Sequence, residues 1–170
     1  MAEQTFFRKL THKSLWLPDY IASSVTAIPI EILLKSNIRH MILDIDDTLV
    51  PLRGNQLSAA YIHYFQNIQQ AHIKLSIGSN TRRDITNIAA TIGAEAIPQP
   101  WWSYKPMKAF YKRILAQAEE PPGAIAMVGD RVIHDVIGAN RAGLITILVA
   151  PIGRRPSWPS RLYRKYLTSH

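Results

Sequence analysis

The chain has 170 residues, 47% of them hydrophobic and 19% charged, which suits one globular domain with a proper core. It contains no cysteine, so disulfides, thiolate catalysis and zinc-thiolate sites are excluded. Net charge is +8, and the apolar uncharged runs Tyr20–Ile30 and Ala142–Gly153 fall short of the ~20 residues that span a bilayer.

Residues 1–37 read as an N-terminal extension. Charges are scattered through its start and no apolar stretch resembles a secretory signal, so the expected location is cytoplasmic. The apolar run His40–Leu43 then predicts a buried strand, and it ends in three carboxylates within four positions, Asp44, Asp46 and Asp47. Like charges this close repel, and taking them out of water costs several kcal/mol each unless a positive charge compensates. The usual compensator for clustered hard oxygens is a divalent cation such as Mg²⁺. In an Asp-x-Asp pair leaving a strand, Asp44 can attack phosphorus while Asp46 serves as acid and then base. Thr48 offers a hydroxyl to fix the turn. The alternative is an acidic turn with a helix cap, so partners must be sought downstream.

Strand and helix signals then alternate with short gaps, as in a parallel α/β sheet. A helix is predicted from Ser58 to about Ala71, a strand over 73–77, and a helix through Ile85, Ile88 and Ile92 that stops at Gly93. A short strand follows over 94–97. The loop 98–105 leads to a helix opening at Pro106. A further strand covers 124–128, a helix stops near Gly143, and a last strand covers 144–150. No repeat, low-complexity tract or interdomain linker is visible.

In such sheets the ligand crevice lies at the strand C-termini. The unusual polar residues fall there: Asp44 and Asp46 after the first core strand, Ser79 and Asn80 after the second, Asp130 after the fourth. Ser79, with free backbone N–H groups, can hold phosphate oxygens, or it can be an ordinary helix cap. Lys105 can lean in from its loop to neutralise the nucleophile and the transferring group, or stay solvated. Asp130 is the natural second metal carboxylate. Asp135 can support the metal or pair with Lys105, or merely serve a helix N-terminus.

These segments, LDIDDTLV, GSNT, YKP and VGDRVIHD, resemble the four motifs of the haloacid dehalogenase (HAD) superfamily of phosphohydrolases over about 40–150. The resemblance implies a three-layer Rossmann-like core with a parallel sheet of about five strands. It makes Asp44 the phosphorylated nucleophile and Asp46 the acid/base. Ser79, Asn80 and Lys105 bind phosphate, Asp44, Asp46 (through its carbonyl) and Asp130 hold Mg²⁺, and Thr48 and Asp135 give support. The intervals Thr48 to Ser79 and Ser79 to Lys105 are used up by the core, so no cap domain is expected and the crevice should be open. WLPDYIASSV and GDRVIHDVIGANRAGLITILVAPI extend the likeness to one branch, subfamily IIIA, the YqeG-like proteins that include phosphatidylglycerophosphate phosphatases. That implies hydrolysis of phosphatidylglycerophosphate to phosphatidylglycerol. His134 departs from the small hydroxyl residue expected there.

The basic tail 154–170 holds Arg154, Arg155, Arg161, Arg164 and Lys165 with no acid. Over 157–167 it can form a helix with Trp158, Leu162 and Tyr166 on one side, either anchored on an anionic membrane or packed on the core. Trp101 and Trp102, beside Lys105, can dip into a bilayer interface or cover the crevice. The expected partner is therefore a phosphorylated substrate, a lipid headgroup foremost, at an anionic membrane or within a homo-oligomer. A nucleic-acid end phosphatase, a small-molecule phosphatase and a non-catalytic scaffold are the alternatives. No aromatic–basic ladder for stacking bases is present.

Overall fold

The central strand forms where the sequence is most continuously apolar. The computed structural model describes residues 7–10, 14–97, 100 and 102–153. In it, β3 (His40–Leu43) is buried at every position, and it pairs in parallel with β4 (Lys74–Ile77) on one side and β6 (Ile125–Gly129) on the other. The sheet order is β1-β2-β7-β6-β3-β4-β5, with β1 spanning Phe7–Lys9, β2 Tyr20–Ala22, β5 Glu95–Ala96 and β7 Ile145–Val149. Six strands are parallel and only β1 runs antiparallel, against β2.

Side chains on successive strand residues point to opposite faces, so each strand feeds two cores. Met41, Leu43, Ala126 and Val128 pack on one face with Phe65 and Ile68 of helix α2 (Ala59–Gln70) and Leu33 of α1 (Ile30–Lys35). Ile42, Ile125 and Met127 pack on the other with Phe110, Tyr111 and Ile114 of α4 (Lys108–Gln117). Helix α3 (Thr86–Thr91) closes the first face with Ile88 and Ala89. The α2 apolar positions Tyr61, Tyr64, Phe65 and Ile68 recur at helical spacing. The result is the three-layer α/β arrangement expected.

Chain direction reverses across the sheet at β3: the connection onward leads to β4, while β6 returns to β3's other edge. A crevice opens at such a switch point, at the C-terminal strand ends. The connection 44–58 that leaves β3 holds turns and one bridge between Asp46 and Val50.

Two expectations are corrected. The sheet has seven strands, not about five, because part of the supposed N-terminal extension joins it. β2 pairs with β7 (Tyr20 opposite Ile147), and Tyr20 stacks on Phe7 with ring centroids 5.2 Å apart. A polar clasp fixes this segment: Asn140 donates to the carbonyls of Ser14, Leu15 and Leu17 at 3.3, 3.1 and 2.9 Å, and Asp19 accepts from the Thr146 backbone at 2.9 Å. Helix α4 also begins at Lys108, two residues after Pro106, with Met107 as its cap. The predicted tail helix and Trp101 lie outside the described residues.

Asn140→Ala removes the donor that three carbonyls share, and losing hydrogen bonds of this kind typically costs about 1–3 kcal/mol. The expected outcome is a lower denaturation midpoint with faster amide exchange in β2 than in β3. Equal exchange in the two strands would show that the clasp does not hold β2.

Candidate active site

The floor of the crevice is built by the ends of β3 and β6. Asp44 follows Leu43 directly and is 6% exposed, and Asp130 follows Gly129 and is 8% exposed. Asp135 sits deeper, 2% exposed, on the single π-helical turn Val132–Ile137 that precedes the short helix α5 (Gly138–Arg141). π-Turns re-aim side chains and are frequent at functional positions. Here the turn lays Asp135 against the end of β6: a Cβ added at Gly129 would lie 2.3 Å from the Asp135 carboxyl carbon. Tyr111 of α4 ties the turn down by donating to the His134 carbonyl at 2.7 Å.

Lys105 enters this floor from the loop before α4. Its ammonium is buried and donates to Asp44 Oδ1 at 2.7 Å and to Asp135 Oδ1 at 2.6 Å. Burial works to lower its pKa, but Asp135 and Asp44 outweigh that and hold it above the usual lysine value. Asn80 clamps the Lys105 peptide group on both sides, donating to its carbonyl and accepting from its N–H, each at 2.9 Å. This adds a role for Asn80, whose carboxamide positions Lys105 while the residue lines the crevice.

Ser79 is buried and lines the crevice, and its hydroxyl accepts from Thr81 N at 3.4 Å. The helix-cap alternative fails on position, because α3 begins only at Thr86 with Ile85 before it. Thr48 is fully buried, and its hydroxyl donates to Asp130 at a long 3.5 Å. Asp47, by contrast, is a structural carboxylate. It takes a left-handed φ of 62°, its Oδ1 accepts from Leu52 N at 2.9 Å, and its carbonyl accepts from Ile152 N at 2.7 Å.

Asp46 turns away from this group. Its Oδ1 accepts from Arg83 Nη2 at 2.8 Å and from Arg53 N at 3.2 Å, while Arg83 also donates to the Gly54 carbonyl. Arg83 was not expected at the site. Its only signal was a pair of arginines following the serine turn, and its partner lies 37 residues upstream.

The crevice holds about 180 Å³ and is lined by Asp44, Asp46, Ser79, Lys105, Asp130 and Asp135, together with Asp47, Leu52, Asn80, Thr81, Arg131 and His134. Carboxylate oxygens of Asp44, Asp130 and Asp135 all lie within 4.8 Å of one another. Burial, then Asp135, Asp44 and Asp47, push Asp130 up to about 7, and burial lifts Asp135 to about 6 against the pull of Lys105. Burial, with Arg131 and Lys105, pushes His134 down to about 4, so its imidazole is neutral. One ammonium faces three buried carboxylates. Such an all-oxygen donor set with surplus negative charge fits a hard divalent cation.

Residues 104–155 match the HAD-hydrolase-like family. The chain is 29% identical over 154 residues to the probable phosphatase YqeG of Bacillus subtilis (strain 168), covering 90% of this chain and 88% of that one. Among solved structures, an uncharacterized protein from Listeria monocytogenes serotype 4b superposes with a TM-score of 0.53 at 22% identity, over 76% of this chain and 99% of that one. The cobalt-bound deoxy-D-mannose-octulosonate 8-phosphate phosphatase of Haemophilus influenzae gives 0.53 at 15% identity, over 78% and 88%. Both share the fold.

The raised carboxylates set a pH dependence. Folded Asp130 keeps a proton that the unfolded chain releases, so without metal it subtracts stability progressively from the ordinary aspartate value of 3.8 up to about 7. Asp135 acts in the same direction up to about 6. His134 acts oppositely between about 4 and 6.5, where the unfolded chain binds the proton first. Comparing Asp130→Asn with the wild type isolates the first effect. In chelator, the melting temperature of the variant should gain on the wild type as pH rises from about 4 to about 7, and a saturating divalent cation should reverse the gain. A difference that does not vary with pH would remove Asp130 as a strained carboxylate.

Proposed function

We propose that this chain is a phosphatase of the HAD superfamily, in the YqeG-like branch, that cleaves phosphate monoesters by way of an aspartyl-phosphate on Asp44; the family match over 104–155 and the likeness to YqeG support it. The observation that carries the reading is the buried Lys105 ammonium held on Asp44 and Asp135 at the strand ends, beside Ser79 in a phosphate-sized crevice.

Lys105 fixes the Asp44 carboxylate and opposes the charge of the incoming phosphoryl group. Asp44 oxygen attacks phosphorus, the bond from phosphorus to the leaving oxygen breaks, and that oxygen takes a proton from Asp46. Water then attacks the aspartyl-phosphate, gives its proton to Asp46, and leaves inorganic phosphate and free Asp44. Ser79 and the backbone N–H groups of its turn hold the phosphoryl oxygens. Asn80 keeps Lys105 in place and Arg83 keeps Asp46 in place, so both chemical groups are oriented before substrate arrives. The donor set fits Mg²⁺, held by Asp44, Asp130 and the Asp46 carbonyl with Asp135 behind them. When bound it would neutralise the carboxylates and polarise the phosphoryl oxygens.

The proposed substrate is a lipid phosphomonoester, phosphatidylglycerophosphate in the first place. The likeness to the YqeG-like branch, the open crevice and the basic surface support it. Phosphate release from phosphatidylglycerophosphate, from a 3′-phosphorylated oligonucleotide and from a soluble glycerol phosphate, each with Mg²⁺, decides among the classes. Selective turnover of the oligonucleotide would overturn the lipid assignment. Asp44→Asn should abolish turnover on every substrate with the melting temperature kept, because the amide cannot attack phosphorus.

Asp46→Asn should cost about 10²–10⁴ in rate on an alkyl phosphate and less on an aryl phosphate whose phenol leaves without a proton. Arg83→Ala should follow the same leaving-group pattern with a smaller loss, since it disturbs only the placement of Asp46. Equal losses on alkyl and activated aryl phosphates would contradict the acid role of Asp46 and the positioning role of Arg83.

A further inference from the structure

Seven large apolar side chains stand exposed among the described residues, and four of them, Leu52, Trp102, Met107 and Ile133, lie on connections at the edge of the sheet where the crevice opens. Leu52 follows β3 and lines the crevice itself. Trp102 and Met107, each 53% exposed, flank the loop that delivers Lys105. Ile133 is 46% exposed, beside His134 of the crevice wall. Apolar surface gathered around the mouth of a site marks an interaction face.

Cations are interleaved with it. The Arg113 guanidinium lies 5.8 Å from the centre of the Trp102 ring, and Arg82 lies 6.0 Å from the centre of the Tyr104 ring. Lys108, Lys112 and Arg141 line a groove of about 510 Å³ next to Pro106. From residue 100 to residue 118 the sequence carries no Asp or Glu. A protein partner matched to this face would have to bury several unpaired cations. A nucleic acid would gain nothing from Leu52, Met107 and Ile133. An anionic bilayer accommodates both parts, with apolar groups and a tryptophan in the interface and cations among the headgroups.

We propose that the crevice mouth seats on an anionic lipid bilayer, with Trp102, Met107, Leu52 and Ile133 in the interface and Lys108, Lys112 and Arg113 on the headgroups. This rests on the lipid reading of the substrate. It deepens that reading by letting the open crevice reach a phosphate at the bilayer surface without extracting the lipid.

The test uses the full chain, with vesicles of phosphatidylcholine alone or mixed with phosphatidylglycerol, at low and high salt. The wild type should pellet with the anionic vesicles only, and less so at high salt. Trp102→Ser/Met107→Ser and Lys108→Glu/Lys112→Glu should each weaken that binding about tenfold or more. They should lower phosphate release from bilayer-embedded phosphatidylglycerophosphate in step, with melting temperature and turnover of a soluble ester unchanged. Vesicle binding and bilayer activity that ignore both variants would overturn the docking surface while leaving the lipid reading standing. Rim-dependent vesicle binding without lipid hydrolysis would overturn the lipid reading and keep the surface. Binding of single-stranded oligonucleotide, lost in the charge-reversed variant, with no vesicle binding would overturn the surface in favour of nucleic acid.

Discussion

The site is organised around the Lys105 ammonium, buried between Asp44 and Asp135. A lone buried charge is strongly unfavourable, and so is a buried carboxylate without a partner. Each of these groups is tolerable only because the others are there. The surrounding structure serves that balance. Asn80 grips the Lys105 peptide group, Gly129 leaves room for Asp135 against the strand, and Tyr111 anchors the π-turn that presents Asp135. Charge compensation remains incomplete, and Asp130, pushed up to about 7, is where the surplus shows.

Asp46 is kept out of that balance. Two residues after Asp44, it is carried to the rim, where Arg83 and the Arg53 N–H receive its carboxylate. The two carboxylates therefore sit in different hydrogen-bond networks, Asp44 on the Lys105 ammonium and Asp46 on the Arg83 guanidinium.

Much of this was legible because the signals were local. A buried apolar run ending in carboxylates identified β3 and placed Asp44 at its end, and Ser58 marked the start of α2. The pairing of Lys105 with Asp135 was one of three roles anticipated for that aspartate, and the structure also places it among the three clustered carboxylates. What escaped depended on distant partners. β1 and β2 are three residues each, too short to show alternation, and β2 exists because β7 offers it an edge. Arg83 and the second role of Asn80 are likewise decided by contacts 37 and 25 residues away, which no local pattern announces.

The sign of the charge changes with depth. The chain as a whole is +8, and Arg131 lines the crevice, while its floor holds three carboxylates against one ammonium. The net positive charge of the whole chain attracts an anionic surface or substrate over distances that salt shortens. That floor would be balanced by a divalent cation held among these carboxylates, which would offset the negative charge the Lys105 ammonium leaves. Burial is the main cause of the raised proton affinity of Asp130 and Asp135, and for Asp130 the neighbouring carboxylates of Asp135, Asp44 and Asp47 add to it.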